Sequence, residues 1–204
     1  MSASDRVITR NLFPHELTKE DLIRQLLLRV ETVPEGYGLR QGLEDTPKRV
    51  SKAFDHWFGG YNIDIAEVLK TQFEDGGEGY DQFVIVKNVP FYSKCEHHMA
   101  DIFGTATIAY IPSNGKVVGL SKLSRVLDAY ARRLQVQERL TKQVADALVE
   151  HLQPLGVGVV IKARHMCMES RGVCQQGHHT ITSALRGVIR DEVATRAEFF
   201  ALAS

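Results

Sequence analysis

Apolar side chains recur at every fourth position from Val136 to Leu152, through Leu140, Val144 and Leu148. That spacing lines one side of a helix of about five turns. A helix with a single apolar stripe must bury it against another element. The flanking segments supply one. Ile102 to Ile111 alternates as a strand does, and Val157 to His165 begins with apolar residues on both faces. A second helix starting at Ser121 carries Leu123, Val126, Leu127 and Tyr130 on one side. A helix pair set between strands predicts an α+β fold, an antiparallel sheet covered by helices.

The rest of the chain extends this pattern. Thr18 to Asp21 gives an N-cap signal for a helix over about residues 18–32, with Leu22, Leu26, Leu27 and Val30 inside it. Val33 to Arg40, broken by Pro34, Gly36 and Gly38, reads as a loop. Thr46-Pro47 opens a helix bearing Val50, Phe54, Trp57 and Phe58 that stops at Gly59-Gly60. A short helix is expected at Ile63 to Lys70. Gln82 to Val89 is β-rich, and Asn114-Gly115 signals a hairpin turn into Lys116 to Val118. Pro154 and Gly156 end the long helix. Thr180 to Ile189 reads as a further strand and Asp191 to Ala203 as a closing helix. The Gly/Asp/Glu stretch from Asp75 to Tyr80 divides an N-terminal helical segment, residues 1–75, from a sheet domain, residues 76–204.

Composition narrows the function. Hydrophobic residues are 44% and charged residues 25%, an ordinary globular mixture. Lys plus Arg equals Asp plus Glu at 25 each, so no global charge draws the chain to nucleic acid. No apolar run is long enough to span a membrane, and Met1 to Arg10 lacks the apolar core of a secretory leader, so a cytoplasmic location is expected. The three cysteines, Cys95, Cys167 and Cys174, are few and odd in number, which favours metal binding or catalysis over a disulfide framework.

Two segments carry metal-binding chemistry. In Cys95-Glu96-His97-His98, a tight turn can aim Cys95 and His98 at one metal; the alternative is two unrelated polar residues in a turn. In His165-Met166-Cys167, residues two apart on a strand share a face and can enter one pocket; the alternative is a packed thiol beside a hydrogen-bonded histidine. Together they offer two cysteines and three histidines. Three of these can hold zinc, leaving two imidazoles beside it. Zinc with three protein ligands and an open position is the catalytic pattern, activating water near neutral pH while imidazoles move protons.

Three further features suit an anionic, nitrogen-rich substrate. Gly119-Leu120-Ser121-Lys122-Leu123-Ser124-Arg125 opens a helix, where amides, the helix dipole, Ser121, Lys122 and Arg125 can receive phosphate; a plain helix start with exposed basic residues is the alternative. Gln137-Glu138 lies in the first turn of the long helix. A carboxylate there meets the helix dipole favourably, and it can also accept both the ring N–H and the exocyclic amine of guanine. Arg171-Gly172 can add a cation to the same pocket or stand as a solvated charge.

C-E-H-H, G-L-S-K-L-S-R, Q-V-Q-E-R-L-T and H-M-C-M-E-S-R-G, in this order and at these separations, resemble the GTP cyclohydrolase I family. The resemblance runs from about Leu43 to the C-terminus, and T-P-K-R-V at Thr46 is similar to the family's N-terminal helix. It implies a tunnelling fold (T-fold) and a homodecameric toroid with active sites at subunit interfaces. It implies zinc-dependent hydrolysis and rearrangement of GTP to 7,8-dihydroneopterin triphosphate and formate, the first step of pterin and folate biosynthesis. The implied zinc ligands are Cys95, His98 and Cys167, and the implied acid/base pair is His97 and His165. Glu138 with Gln137 would hold the guanine. Ser121, Lys122, Arg125 and Arg171 would face the ribose and triphosphate, with Ser121 also assisting ribose opening. Arg49 would reach the phosphates from a neighbouring subunit.

Val173 to His179 departs from the family pattern. Cys174, His178 and His179 add potential ligands; a fourth ligand from Cys174 or His178 would close the zinc shell into a structural site. Two rival functions follow: a zinc-stabilised interaction module, or a pterin-pathway lyase on a related fold. The lyases typically use an all-histidine zinc site, against which the mixed Cys/His set argues. The module would leave Glu138 and the Ser121 to Arg125 cluster without a purpose.

Overall fold

The computed structural model describes residues 17–73 and 79–204. The Met1–Arg10 segment and the Asp75 to Glu78 part of the expected domain boundary lie outside the described residues. The described chain forms two compact units that divide after His56.

The first unit holds α1 (Lys19–Val30) and most of α2 (Thr46–Trp57). Thr18 and Asp21 form a reciprocal capping box at the start of α1: the Thr18 hydroxyl accepts from the Asp21 amide, and the Asp21 carboxylate accepts from the Thr18 amide at 2.9 Å. Lys19 pairs with Asp55 across the two helices. Asp45 is the residue before α2, its carbonyl accepting from the Arg49 amide, so Pro47 stands one position deeper than expected, where its missing N–H is still harmless.

The second unit contains α3 (Ile65–Leu69), β1 (Gln72–Phe73), β2 (Val84–Cys95), β3 (Asp101–Ile111), β4 (Val117–Val118), α4 (Leu120–Ala131) and β5 (Leu134–Gln135). It continues with α5 (Gln137–Leu152), β6 (Gly156–His165), α6 (Met166–Glu169), β7 (Thr180–Gly187), α7 (Val188–Asp191) and α8 (Val193–Ala203). The main sheet has the order β5-β2-β3-β6-β7, antiparallel throughout except for the short parallel pairing of β2 with β5. This is the expected α+β class, consistent with the T-fold.

One face of the sheet buries Ile102, Ala106, Ile108, Val157, Val159 and Ile161 against Leu123, Leu127, Leu140, Val144 and Leu148 of α4 and α5. The opposite face gathers Ala109 and Ile111 with Ile189 and the fully buried Phe199 of α8. Phe199 packs this closely because position 158 is glycine: a Cβ there would stand 2.6 Å from the phenyl ring.

Two expectations change. β2 does not stop at Val89 but runs to Cys95, because an irregularity between Val86 and Val89, with Asn88 at φ +56°, absorbs the break in alternation. The Asn114-Gly115 turn has the expected positive φ at both residues, yet Val117–Val118 pairs with β1 rather than folding back on β3.

Candidate active site

The sheet register assembles the site. Both β2 and β6 are antiparallel to β3, so they end at the same edge, where Ser93 opposes Ile102 and Ile102 opposes His165. The turn after β2 is tight. The Cys95 amide donates to the Ala100 carbonyl at 2.8 Å, and the Cys95 carbonyl accepts from the Met99 amide at 2.7 Å. Met99 takes φ +54° to reverse the chain. His97 Nδ1 and His98 Nδ1 each lie 3.9 Å from Cys95 Sγ.

Cys167 reaches the same place by a different route from the one expected. The strand ends at His165, and Met166 to Glu169 is a helical turn, so period-two alternation does not place Cys167. The turn is anchored by Glu169, whose side chain is 4% exposed and is gripped by both Arg164 Nε (2.9 Å) and Arg164 Nη2. Among the described residues, the ligand atoms of Cys95, His98 and Cys167 lie within 4.8 Å of one another. Two thiols and an imidazole at that spacing can share one ion, and they are donor types that zinc prefers. Neither Cys174 nor His178 belongs to the group, which therefore offers three protein ligands.

The surroundings tune the titratable groups. Burial, reinforced by the neighbouring Cys95, pushes the Cys167 thiol above its ordinary range. Burial also lowers His165; Glu138 opposes this, His178 adds to it, and Glu169 opposes it. His97 is largely exposed, with Nε2 3.8 Å from the Glu96 carboxylate.

Gln137 and Glu138 are neighbours with different environments. Glu138 is exposed in the first turn of α5, close enough for its charge to act on His165. Gln137 is 1% exposed. Its amide nitrogen lies 3.1 Å from the Ile161 carbonyl, 3.0 Å from the Thr180 carbonyl and 3.1 Å from Thr182 Oγ1, and its Oε1 lies 2.7 Å from His165 Nε2. The side chain expected on the base is spent on the protein itself.

Ser121, Lys122 and Arg125 stand together at the start of α4, with Ser121 and Arg125 exposed. Among the described residues, no hydrogen bond or ion pair links them to the metal group. Arg171 is exposed after α6, and its charge acts on Cys167. Arg49, in the first unit, is exposed and paired with Asp45. In the departing loop, Cys174 is exposed at φ +51°, whereas both ring nitrogens of His178 are shielded and have no hydrogen-bond partner among the described residues.

Several contributors were not singled out from sequence: Glu96, Arg139, Thr141, Arg164, Glu169 and Thr182. Arg139 and Thr141 lie inside Q-V-Q-E-R-L-T, and Thr141 follows Gln137 by four residues, a helical neighbour spacing that carried a signal. Thr182 is brought in by the pairing of β7 with β6 and meets Gln137 from 45 residues away, for which no local signal exists.

The fold and the Cys/His group define an α+β protein whose Cys95, His98 and Cys167 could hold a metal ion. The GTP cyclohydrolase I family model matches residues 19–204. A GTP cyclohydrolase 1 of Janthinobacterium sp. (strain Marseille) is 60% identical over 164 residues, covering 80% of this chain and 82% of the relative. One from Nitrosospira multiformis is 57% identical over 164 residues, with 80% and 85% covered, and one from Allorhizobium ampelinum is 46% identical over 189 residues, with 93% and 91% covered. The chain belongs to the GTP cyclohydrolase I family.

Proposed function

We propose that the protein converts GTP to 7,8-dihydroneopterin triphosphate and formate with zinc held by Cys95, His98 and Cys167. The observation that carries this reading is the three-ligand group with His97 and His165 beside it, in a chain of this family. Bound there, zinc supplies Lewis-acid activation of water near neutral pH.

The chain's own residues do the rest. Glu138 accepts from the ring N–H and exocyclic amine of guanine and fixes the base. Ser121, Lys122, Arg125 and Arg171 receive the ribose and triphosphate, with Arg49 contributed from a neighbouring subunit. His165 gives a proton to the imidazole-ring nitrogen as water adds at C8 and the ring opens. A second hydrolysis releases formate. His97 and Ser121 then assist opening and rearrangement of the ribose, whose carbonyl closes on the freed amine with loss of water. Gripping the substrate at both ends keeps the reacting atoms aligned through these steps.

The assembly proposed with this reading is a toroidal homodecamer with active sites between subunits, in the cytoplasm. No helix among the described residues is long and apolar enough to cross a membrane. The reading is tested by incubating zinc-loaded protein with GTP or ATP and measuring formate. Release from GTP alone is expected. Equal release from ATP removes Glu138 from guanine recognition, and release from neither removes the reaction.

A further inference from the structure

The hydrogen-bond directions around Gln137 are set by its neighbours. The Ile161 and Thr180 carbonyls can only accept, so the atom facing them at 3.1 and 3.0 Å must be the amide nitrogen. Flipping the amide would set its oxygen against two carbonyl oxygens. The atom 2.7 Å from His165 Nε2 is therefore Oε1, which only accepts.

Two threonines agree with this assignment. Thr141 Oγ1 donates to the Gln137 main-chain carbonyl at 2.7 Å, which uses its one proton. Thr182 Oγ1, 2.6 Å from Thr141 Oγ1, must then donate to it, leaving Thr182 Oγ1 as an acceptor that shares, at 3.1 Å, one of the two Gln137 Nε2 protons with a carbonyl. Gln137 and Thr141 are each 1% exposed, and His165, Thr180 and Thr182 around them are half-buried, so the centre of the network is shielded from bulk water.

We infer that Gln137 is a positioning residue that holds His165 as its Nε2–H tautomer, making Nδ1 the nitrogen that gives and takes the proton. This rests on the reading of His165 as the proton carrier. Gln137 Oε1 accepts from Nε2–H whether or not Nδ1 is protonated, so the ring keeps one orientation through a proton-transfer cycle. The same contacts give two adjacent residues different roles, with Glu138 left for the base and Gln137 acting through His165.

The test is the side-chain nitrogen shifts of full-length, zinc-loaded protein labelled with ¹⁵N-histidine, with His165 assigned by the signals lost in His165→Ala. At pH about 8.5, where imidazole is ordinarily neutral, a protonated Nε2 and a bare Nδ1 are expected. The opposite tautomer overturns the inference. In the catalytic arm, Gln137→Met is expected to lower kcat about 100-fold while KM for GTP stays within about twofold. A rise in KM with kcat preserved would place the side chain on the base and overturn it too. If the variant does not fold, the wild-type shifts still decide. If the wild type releases no formate, the reaction fails while the shifts still report the tautomer.

Discussion

Arg139 grips Glu96 through both terminal guanidinium nitrogens, with Nη2 2.9 Å from Oε1 and Nη1 on Oε2. Glu96 sits between Cys95 and His97, and Arg139 follows Glu138, so this pair ties the turn that would bind the metal to the helix that would hold the base. The fork also holds the Glu96 carboxylate below its usual range. Removing it with Arg139→Met should loosen the turn without unfolding the sheet. Metal affinity is expected to fall about 10-fold or more, measured by competition with a chromophoric chelator. Unchanged affinity would show that the turn holds itself.

The second guanidinium fork, Arg164 on Glu169, gives a pH signature. The hydrogen bond from Arg164 is the largest influence lowering the Glu169 carboxyl below its ordinary value of 4.5. A carboxyl depressed in the folded state binds fewer protons there than in the unfolded chain. It therefore contributes stability that is complete above the unfolded value and is lost as pH falls through the folded one. Glu169→Gln should be less stable than wild type at neutral pH, and the gap should close in acid. Denaturant curves from neutral pH into the acid range check this, and a gap that stays constant with pH would contradict it.

Metal uptake should release protons. Burial and Cys95 raise Cys167, so its thiol keeps its proton near neutrality until a cation displaces it. Apparent affinity should rise with pH across the neutral range, with a shallower slope in Cys167→Ser. Titration of the metal-free protein in weakly buffered solution measures the protons directly. Binding without proton release would mean that Cys167 is not a ligand.

Much of this arrangement was legible in sequence for a physical reason. Long periodic segments such as Val136 to Leu152 announce a helix, and compact motifs such as Cys95 to His98 announce a turn that gathers donors. What stayed hidden depends on pairings distant in the chain. The route of Cys167 through a helical turn depends on Glu169 meeting Arg164, and the role of Gln137 depends on carbonyls of β6 and on Thr180 and Thr182 of β7. Neither is encoded in local spacing. Glutamine beside a carboxylate at a helix start looks like a second substrate contact until burial shows that its amide is already used.

The sheet itself carries a sharp stability test. Gly104 lies in β3 opposite Ala163 of β6, where an added Cβ would meet the Lys162 carbonyl oxygen at 2.1 Å. Backbone cannot yield as a flexible side chain does, so Gly104→Ala should destabilise by about 1–3 kcal/mol. Thermal or denaturant unfolding measures the loss. Wild-type stability would show that the two strands stand farther apart.

A three-ligand metal site at this end of the sheet would open the purine ring of GTP. The most direct measurement is formate and pterin release from GTP by zinc-loaded protein, by a chelated sample and by Cys167→Ser. Release by the loaded wild type, lost on chelation and in Cys167→Ser, is the predicted result. Undiminished release after chelation or in Cys167→Ser would contradict the account.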